Sequence, residues 1–277
     1  MNLYSASIDT QLGPVRLAAT AEGLCGLWFR GQQHEPPAQD GTRAVHETDH
    51  PVLAAAAHWL RDFFTGGSGA PRPPLAPHGT PFQRAVWDAL LRIPSGNTTS
   101  YAALARDLGM PRATRAVAAA IGRNPVSVLI PCHRVVGSDG SLTGYAGGLG
   151  RKRALLDLEQ GRGLPWRRVR SAYTAQYADP IALEVGERVR FHARPDDGEY
   201  PGWRWAQAAD GRAGWVPDAW FRGDSDAGVA VRGYSARELT VEPGARVLEA
   251  LEFGGWVYAI PEAGEPGWLP STALGEG

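Results

Sequence analysis

Of the two cysteines and seven histidines in this 277-residue chain, only one pair is adjacent, Cys132-His133. A thiol is a weak nucleophile until it ionises, and a pKa of roughly 8.5 keeps a free cysteine mostly protonated near neutrality. His133 supplies a base next to it. A carboxylate orienting that base would complete a nucleophile–base–carboxylate relay. Spacing alone leaves open which carboxylate this is. An arbitrary Cys-His pair is more often a structural thiol beside a histidine, but here it sits in Ile130-Pro131-Cys132-His133-Arg134-Val135, at the end of an apolar run from Val126. Cys25 lies in an apolar strand-like segment and reads as core. His34, His46, His50, His58, His78 and His192 show no ligand spacing, and two cysteines make neither a disulfide framework nor a four-cysteine metal site, so no metal is expected.

The elements that must position this pair are legible on both sides of it. Leu3–Ile8, Val15–Thr20 and Leu24–Phe29 alternate as a small β-meander with turn signals between them. Pro51–Phe64 repeats Leu53, Ala57, Leu60 and Phe64 on one helical face, with Asp49 as the expected cap. Gly66–Gly69 and the Pro-rich stretch 71–77 read as a linker. Thr80-Pro81-Phe82-Gln83 is a capping box with proline at the first helical position. Two further helices, Tyr101–Leu108 and Ala113–Gly122, are joined by Gly109-Met110-Pro111, the pattern of a helix-turn-helix. A Gly-rich loop, Gly137–Gly150, and a helix, Arg151–Gln160, follow the Cys-His pair.

Charge is segregated. The net charge is −1, yet residues 80–170 carry fourteen basic against five acidic side chains, and residues 171–277 carry nine against seventeen. A basic middle points to a polyanionic partner. The acidic tail contains a diverged repeat: Gly202-Trp203 with Gly214-Trp215-Val216-Pro217 recurs as Gly255-Trp256 with Gly267-Trp268-Leu269-Pro270. Short strands closed by Trp-Val/Leu-Pro describe two small β-barrels. No eighteen-residue apolar run and no secretory signal pattern are present, so a cytoplasmic location is expected.

Pro131-Cys132-His133-Arg134, the upstream Asn124-Pro125, the Ala113-Thr114-Arg115-Ala116-Val117 segment, Ser100-Tyr101, the loop Gly144-Tyr145-Ala146-Gly147-Gly148 and Leu155-Leu156-Asp157-Leu158-Glu159 occur in that order. Together they resemble the methylated-DNA–protein-cysteine methyltransferases, the O6-alkylguanine-DNA alkyltransferases, over roughly the first 165 residues. The resemblance implies a single-turnover enzyme without cofactor that moves an alkyl group from O6-alkylguanine, with O4-alkylthymine a further candidate, onto Cys132. It implies that His133 takes the thiol proton through a water, that Glu159 orients His133, that Asn124 braces the turn behind the nucleophile, and that Tyr145 hydrogen-bonds the flipped base. It assigns DNA contacts to Arg115 as the finger that enters the base stack, to Tyr101 beside the target phosphate, and to Ala113, Thr114, Arg134, Gly147 and Gly148. The alanine-rich helix would be thin enough for a minor groove. The N-terminal cysteine cluster of the family's adaptive-response regulators is absent.

The expected fold class is an α+β N-terminal domain, then a mainly helical catalytic domain containing the helix-turn-helix, then two small all-β barrels resembling bacterial Src-homology-three-like domains. The expected boundaries are 1–78 (ribonuclease-H-like by the resemblance), 79–170, 171–223 and 224–277. A monomer acting on double-stranded DNA is expected, with the tail available to a protein or Pro-rich peptide through Trp203, Trp205, Trp215, Trp220, Trp256 and Trp268. The competing reading is a non-catalytic lesion-binding or interaction protein, against which the presence of Cys132 argues.

Overall fold

The computed structural model describes residues 2–37, 42–67, 69–192, 200–262 and 265–275. The chain divides into two compact units, Met1–Arg30 with Gln39–Pro165, and Gly31–Ala38 with Trp166–Gly277.

In the first unit, β1 (Tyr4–Ile8), β2 (Val15–Thr20) and β3 (Gly23–Phe29) form the expected antiparallel meander, and β4 (Arg43–Ala44) adds to it in parallel with β1, giving the order β3-β2-β1-β4. Helix α1 (Pro51–Phe64) buries Leu53, Ala57, Leu60 and Phe64 from the anticipated stripe, together with Val52 and Ala56. Asp49 does not cap it. His50 holds the cap position without a side-chain bond, and the Asp49 carboxylate instead accepts from the His46 amide (3.2 Å) in a separate 3-10 turn, Glu47–Asp49. The Pro-rich stretch is also more than a linker. The Leu24 amide donates to the Pro74 carbonyl and the Ala76 amide to the Leu24 carbonyl, both at 2.8 Å, so this segment covers the free edge of β3.

Helix α2 (Pro81–Leu90) starts at the predicted capping box: Gln83 N–H donates to Thr80 Oγ1 (3.2 Å) and Thr80 N–H to Gln83 Oε1 (2.9 Å). β5 (Thr99–Ser100) leads into α3 (Tyr101–Asp107), and a 3-10 turn, Pro111–Ala113, leads into α4 (Thr114–Gly122). The Trp87 indole donates to the Ala120 carbonyl (2.9 Å), locking α2 onto α4. β6 (Val135–Val136) pairs in parallel with β5, and α5 (Leu149–Glu159) closes the unit. Gly148, at φ +94°, makes the turn into α5 in a conformation that a side chain would strain.

The second unit is almost entirely β. β9 (Arg188–His192), β10 (Trp203–Ala208), β11 (Ala213–Pro217), β12 (Phe221–Gly223) and β13 (Ala227–Ala230) make a five-stranded sheet in the order β11-β10-β9-β13-β12, preceded and followed by the pair β8 (Ala182–Leu183) and β14 (Tyr234–Ser235); the short β7 (Arg167–Arg168) precedes them all. β15 (Arg246–Phe253), β16 (Trp256–Pro261) and β17 (Gly267–Pro270) form the second sheet, with β7 at its edge. The sequence repeat is a repeat of register. Trp203 faces Pro217 and Trp205 faces Trp215 across one hairpin, as Trp256 faces Pro270 and Tyr258 faces Trp268 across the other. Each hairpin then ends in a 3-10 turn, Asp218–Trp220 and Ser271–Ala273.

The expected boundaries need correction here. β7 pairs with Arg246 and Val247, and Val169 N–H donates to the Ala245 carbonyl (2.8 Å), so residues 166–170 belong to the β unit and not to the catalytic segment. A cut at 223 falls inside the β12–β13 hairpin. The motif repeat locates the β10–β11 and β16–β17 hairpins, but the opposite edges of the two sheets come from outside the repeated motif, β12 from after its first copy and β7 from well ahead of both.

Removing the Thr80 hydroxyl leaves an amide of the first turn of α2 without its partner. Thr80→Ala is expected to cost about 1 kcal/mol in denaturant unfolding, and Thr80→Ser to recover most of it.

Candidate active site

Cys132 opens the 3-10 turn Cys132–Arg134, all three residues of which are buried. The turn is reached through a tight backbone path. Val128 sits at φ +66°, a conformation rare for a β-branched residue, and Asn124 holds the path from inside. The Asn124 amide donates to the Ile130 carbonyl (2.8 Å) and to Cys132 Sγ (3.1 Å), while its oxygen accepts from Val126 N–H (3.0 Å). One buried side chain thus fixes both the turn and the sulfur. The resemblance gave Asn124 the first task; the contact to sulfur adds a donor that favours the thiolate.

Behind the sulfur lies a polar chain with almost no access to water. His133 is fully buried, and its Nε2 is 2.8 Å from Glu159 Oε1. Arg134 forks onto the same carboxylate, Nε to both oxygens (3.1 and 3.0 Å) and Nη2 to Oε1 (2.7 Å), while its Nη1 donates to the Ile93 carbonyl. The Gly96 amide adds a further donor to Glu159 Oε2 (3.1 Å). Burial pushes the Glu159 carboxyl up, but the bonds from His133 and Arg134 outweigh it and hold its pKa at about 2. Burial, against the pull of Glu159, depresses the His133 pKa, so the imidazole rests neutral and able to accept a proton. His133 Nδ1 is buried and has no hydrogen-bond partner among the described residues. Burial likewise raises the Cys132 thiol, opposed by the Asn124 bond and by the charge of Lys152. The resting pair is therefore a protected thiol beside a neutral base.

Lys152 is the charged side chain near the sulfur that sequence reading missed. It is the only lysine in the chain, it is fully buried, and its ammonium donates to the carbonyls of Val135 (2.5 Å) and Thr143 (2.6 Å). Burial lowers its pKa to about 8 against the opposing influence of Cys132. A lone lysine among twenty-eight basic residues was a visible signal. Arg151 is similar: its Nε donates to the Leu12 carbonyl (2.8 Å), its Nη1 to the Gly147 carbonyl (3.0 Å), and its guanidinium lies over the Phe29 ring (4.8 Å).

The remaining predicted residues divide into two groups. Tyr145 lies near the sulfur, its hydroxyl held protonated by burial first and then by Cys132. Tyr101 sits at the rim, where its hydroxyl is shared between the carbonyls of Thr143 and Gly144 (3.0 Å each). Thr114 and Arg115 start α4 and Ala113 precedes it; Arg115, Ala116 and Ala119 are exposed, while Val117, Ala120 and Ile121 form the buried face. Two of the residues expected at DNA have internal partners here. Arg134 is turned inward, bonded to Glu159 and to the Ile93 carbonyl. Gly147 is buried, and a Cβ there would meet the Tyr145 ring at 2.7 Å, so it makes room for Tyr145. Gly148 serves the turn into α5. Among the described residues no group of three or more His, Cys, Asp or Glu side chains could hold a metal ion.

Known proteins can now be set beside this geometry. The family model described as "6-O-methylguanine DNA methyltransferase, DNA binding domain" matches residues 81–161. A methylated-DNA–protein-cysteine methyltransferase of Mycobacterium bovis is 41% identical over 160 residues, 58% of this chain and 94% of the relative. The chain belongs to this family. A relative of the same name from Methanosarcina barkeri is 43% identical over 162 residues, 57% of this chain and 98% of the relative. The crystal structure of Mycobacterium tuberculosis OGT in complex with DNA matches with a TM-score of 0.53 at 38% identity, covering 58% of this chain and 96% of that one. The family model lies within the first unit, and each of these relatives covers less than three-fifths of the chain.

Glu159 offsets two buried groups, so removing its charge is costly. Glu159→Gln is expected to lose roughly 3–5 kcal/mol near neutral pH. In the parent, the carboxylate's contribution is fully present above its ordinary pKa of 4.5 and is lost as pH falls through about 2. Unfolding curves of parent and variant should converge in acid; a pH-independent gap would show that the charge is not responsible.

Proposed function

We propose that this chain repairs DNA by transferring an alkyl group from O6-alkylguanine to Cys132, once per molecule and without a cofactor. The observation that carries the reading is the buried chain Asn124–Cys132 and His133–Glu159–Arg134, a hydrogen-bonded thiol next to an oriented neutral imidazole. In the proposed reaction a bridging water passes the thiol proton to His133, and Glu159 stabilises the imidazolium formed. The thiolate attacks the alkyl carbon in line, a C–S bond forms, and the C–O6 bond breaks with its electron pair leaving on guanine. Tyr145 protonates that leaving base. The product thioether has no route back, hence the single turnover.

The target oxygen is paired inside the duplex, so the nucleotide must be turned out at a cost of a few kcal/mol. We assign the insertion to Arg115, at the exposed start of α4, and the close groove approach to the small exposed side chains Ala116 and Ala119 on the same helix. Tyr101 acts at the phosphate beside the target. O4-alkylthymine is a second candidate substrate, because the same C–O cleavage serves it. The tail, acidic and built of two Src-homology-three-like β modules, is read as a recruitment module and not as a DNA contact.

Incubation with duplex DNA carrying labelled O6-methylguanine tests the reading. The Cys132 peptide should gain about 14 Da per methyl group accepted. Cys132→Ala should transfer nothing yet bind the duplex as before, and label appearing on any other side chain would reject the assignment. Arg115→Ala should slow transfer from duplex by about tenfold or more while changing transfer from the free base little, since only the duplex must be opened. Because the His133 pKa is depressed, the transfer rate should hold near pH 6.5 and fall only in more acid solution, as the base becomes protonated.

A further inference from the structure

The β unit contains a cavity of about 240 Å³ that neither the transfer chemistry nor DNA contact uses. Both repeats line it: Tyr177, Trp203 and Trp215 come from one, and Tyr234, Trp256 and Trp268 from the other. The hydrogen-bonding groups of several of these rings are already turned to the protein. Trp268 donates its indole N–H to the Ser235 carbonyl (3.0 Å), and Tyr234 donates its hydroxyl to the Trp215 carbonyl (2.6 Å). Trp203 Nε1 is covered at the Gly254 turn, where even a Cβ on the glycine would lie 2.3 Å from it. These three rings therefore offer the cavity carbon, not donors.

Among the described residues one carboxylate shares the lining, Glu238. It is anchored through a single oxygen: Oε2 accepts from the Tyr173 hydroxyl (2.8 Å) and the Gln176 amide (2.7 Å). Oε1 has no hydrogen-bond partner among the described residues. Among the described residues neither lysine nor arginine lines the space. Elsewhere in the same unit, guanidinium groups already rest on aromatic faces, Arg232 over Trp220 (4.3 Å) and Arg204 over Phe191 (4.2 Å).

Aromatic faces present the negative side of their quadrupole, and a carboxylate adds a full negative charge; the complementary ligand is a cation clad in carbon. A bare ammonium is strongly hydrated and resists transfer to such a site, whereas methylation removes its hydrogen-bond donors and lowers that cost. We infer that the cavity formed by Tyr177, Trp203, Trp256, Trp268 and Glu238 binds a methylated ammonium group. This rests on the reading of the tail as a binding module, and it names the chemistry of what that module holds.

The test is titration of the 277-residue chain, followed by tryptophan fluorescence, with choline and with its neutral isostere 3,3-dimethyl-1-butanol. Choline should give a saturable change at millimolar concentration, and the neutral alcohol should bind about tenfold more weakly. Glu238→Gln, which keeps an acceptor for Tyr173 and Gln176, should remove most of that difference and leave alkyl transfer unchanged. Equal binding of the two probes, or preference surviving in Glu238→Gln, overturns the inference. A saturable response to a Pro-rich peptide without one to choline overturns it while retaining a binding tail. Silence toward all three probes overturns both.

Discussion

The carboxylate of Glu159 is the point on which the catalytic unit turns. It accepts from His133, from the fork of Arg134 and from the Gly96 amide, and its side chain is only 1% exposed. A buried anion is tolerable only when its lone pairs are met, and here the partners come from the Cys-His-Arg turn and from the loop after α2. The same bonds that make the anion tolerable fix the imidazole. Orientation of the base and cohesion of the core are therefore one set of contacts, and neither can be altered alone.

That arrangement explains why the nucleophile can be so deeply enclosed. Burial raises the thiol's pKa, which keeps the enclosed sulfur protonated at rest. Asn124 and Lys152 work in the opposite direction, lowering the cost of the thiolate when it is needed. The left-handed backbone at Val128 belongs to the same logic: Asn124 bonds on both sides of that strained residue and keeps the sulfur aimed. Arg151 ties the Gly-rich loop to the N-terminal meander, so the meander contributes to the site without supplying a reactive group.

Much of this was legible in the chain itself. The meander, α1 and the capping box at Thr80 follow from alternation, helical spacing and local side-chain-to-amide bonding, all of which act over a few residues. An ordered set of short motifs pointed to Cys132, His133, Asn124 and Glu159, and the structure brings these side chains together. What stayed hidden were the long-range commitments of charge. The resemblance assigned Arg134 a DNA contact, and only the fold reveals a carboxylate twenty-five positions later within reach of its fork. Lys152 has no periodic signature, since its partners are backbone carbonyls. The tail's repeat was visible as paired Trp and Pro, and the identical registers of the two hairpins are its physical content. Its boundaries were not, because edge strands carry little pattern of their own.

The placement of β7 has a practical meaning for any attempt to divide the protein. Residues 167–173 lie ahead of the first repeat yet pair with strands of the second, Val169 with Leu274 and Tyr173 with Val241. The first repeat is thus an insertion within the second, and the two cannot be separated by one scission. A protease nick or a truncation at residue 170 would strip the flank from β15 and bare Val247 to the solvent. Such a fragment would be prone to recruit a strand from another molecule, and its stickiness would be an artefact of the cut.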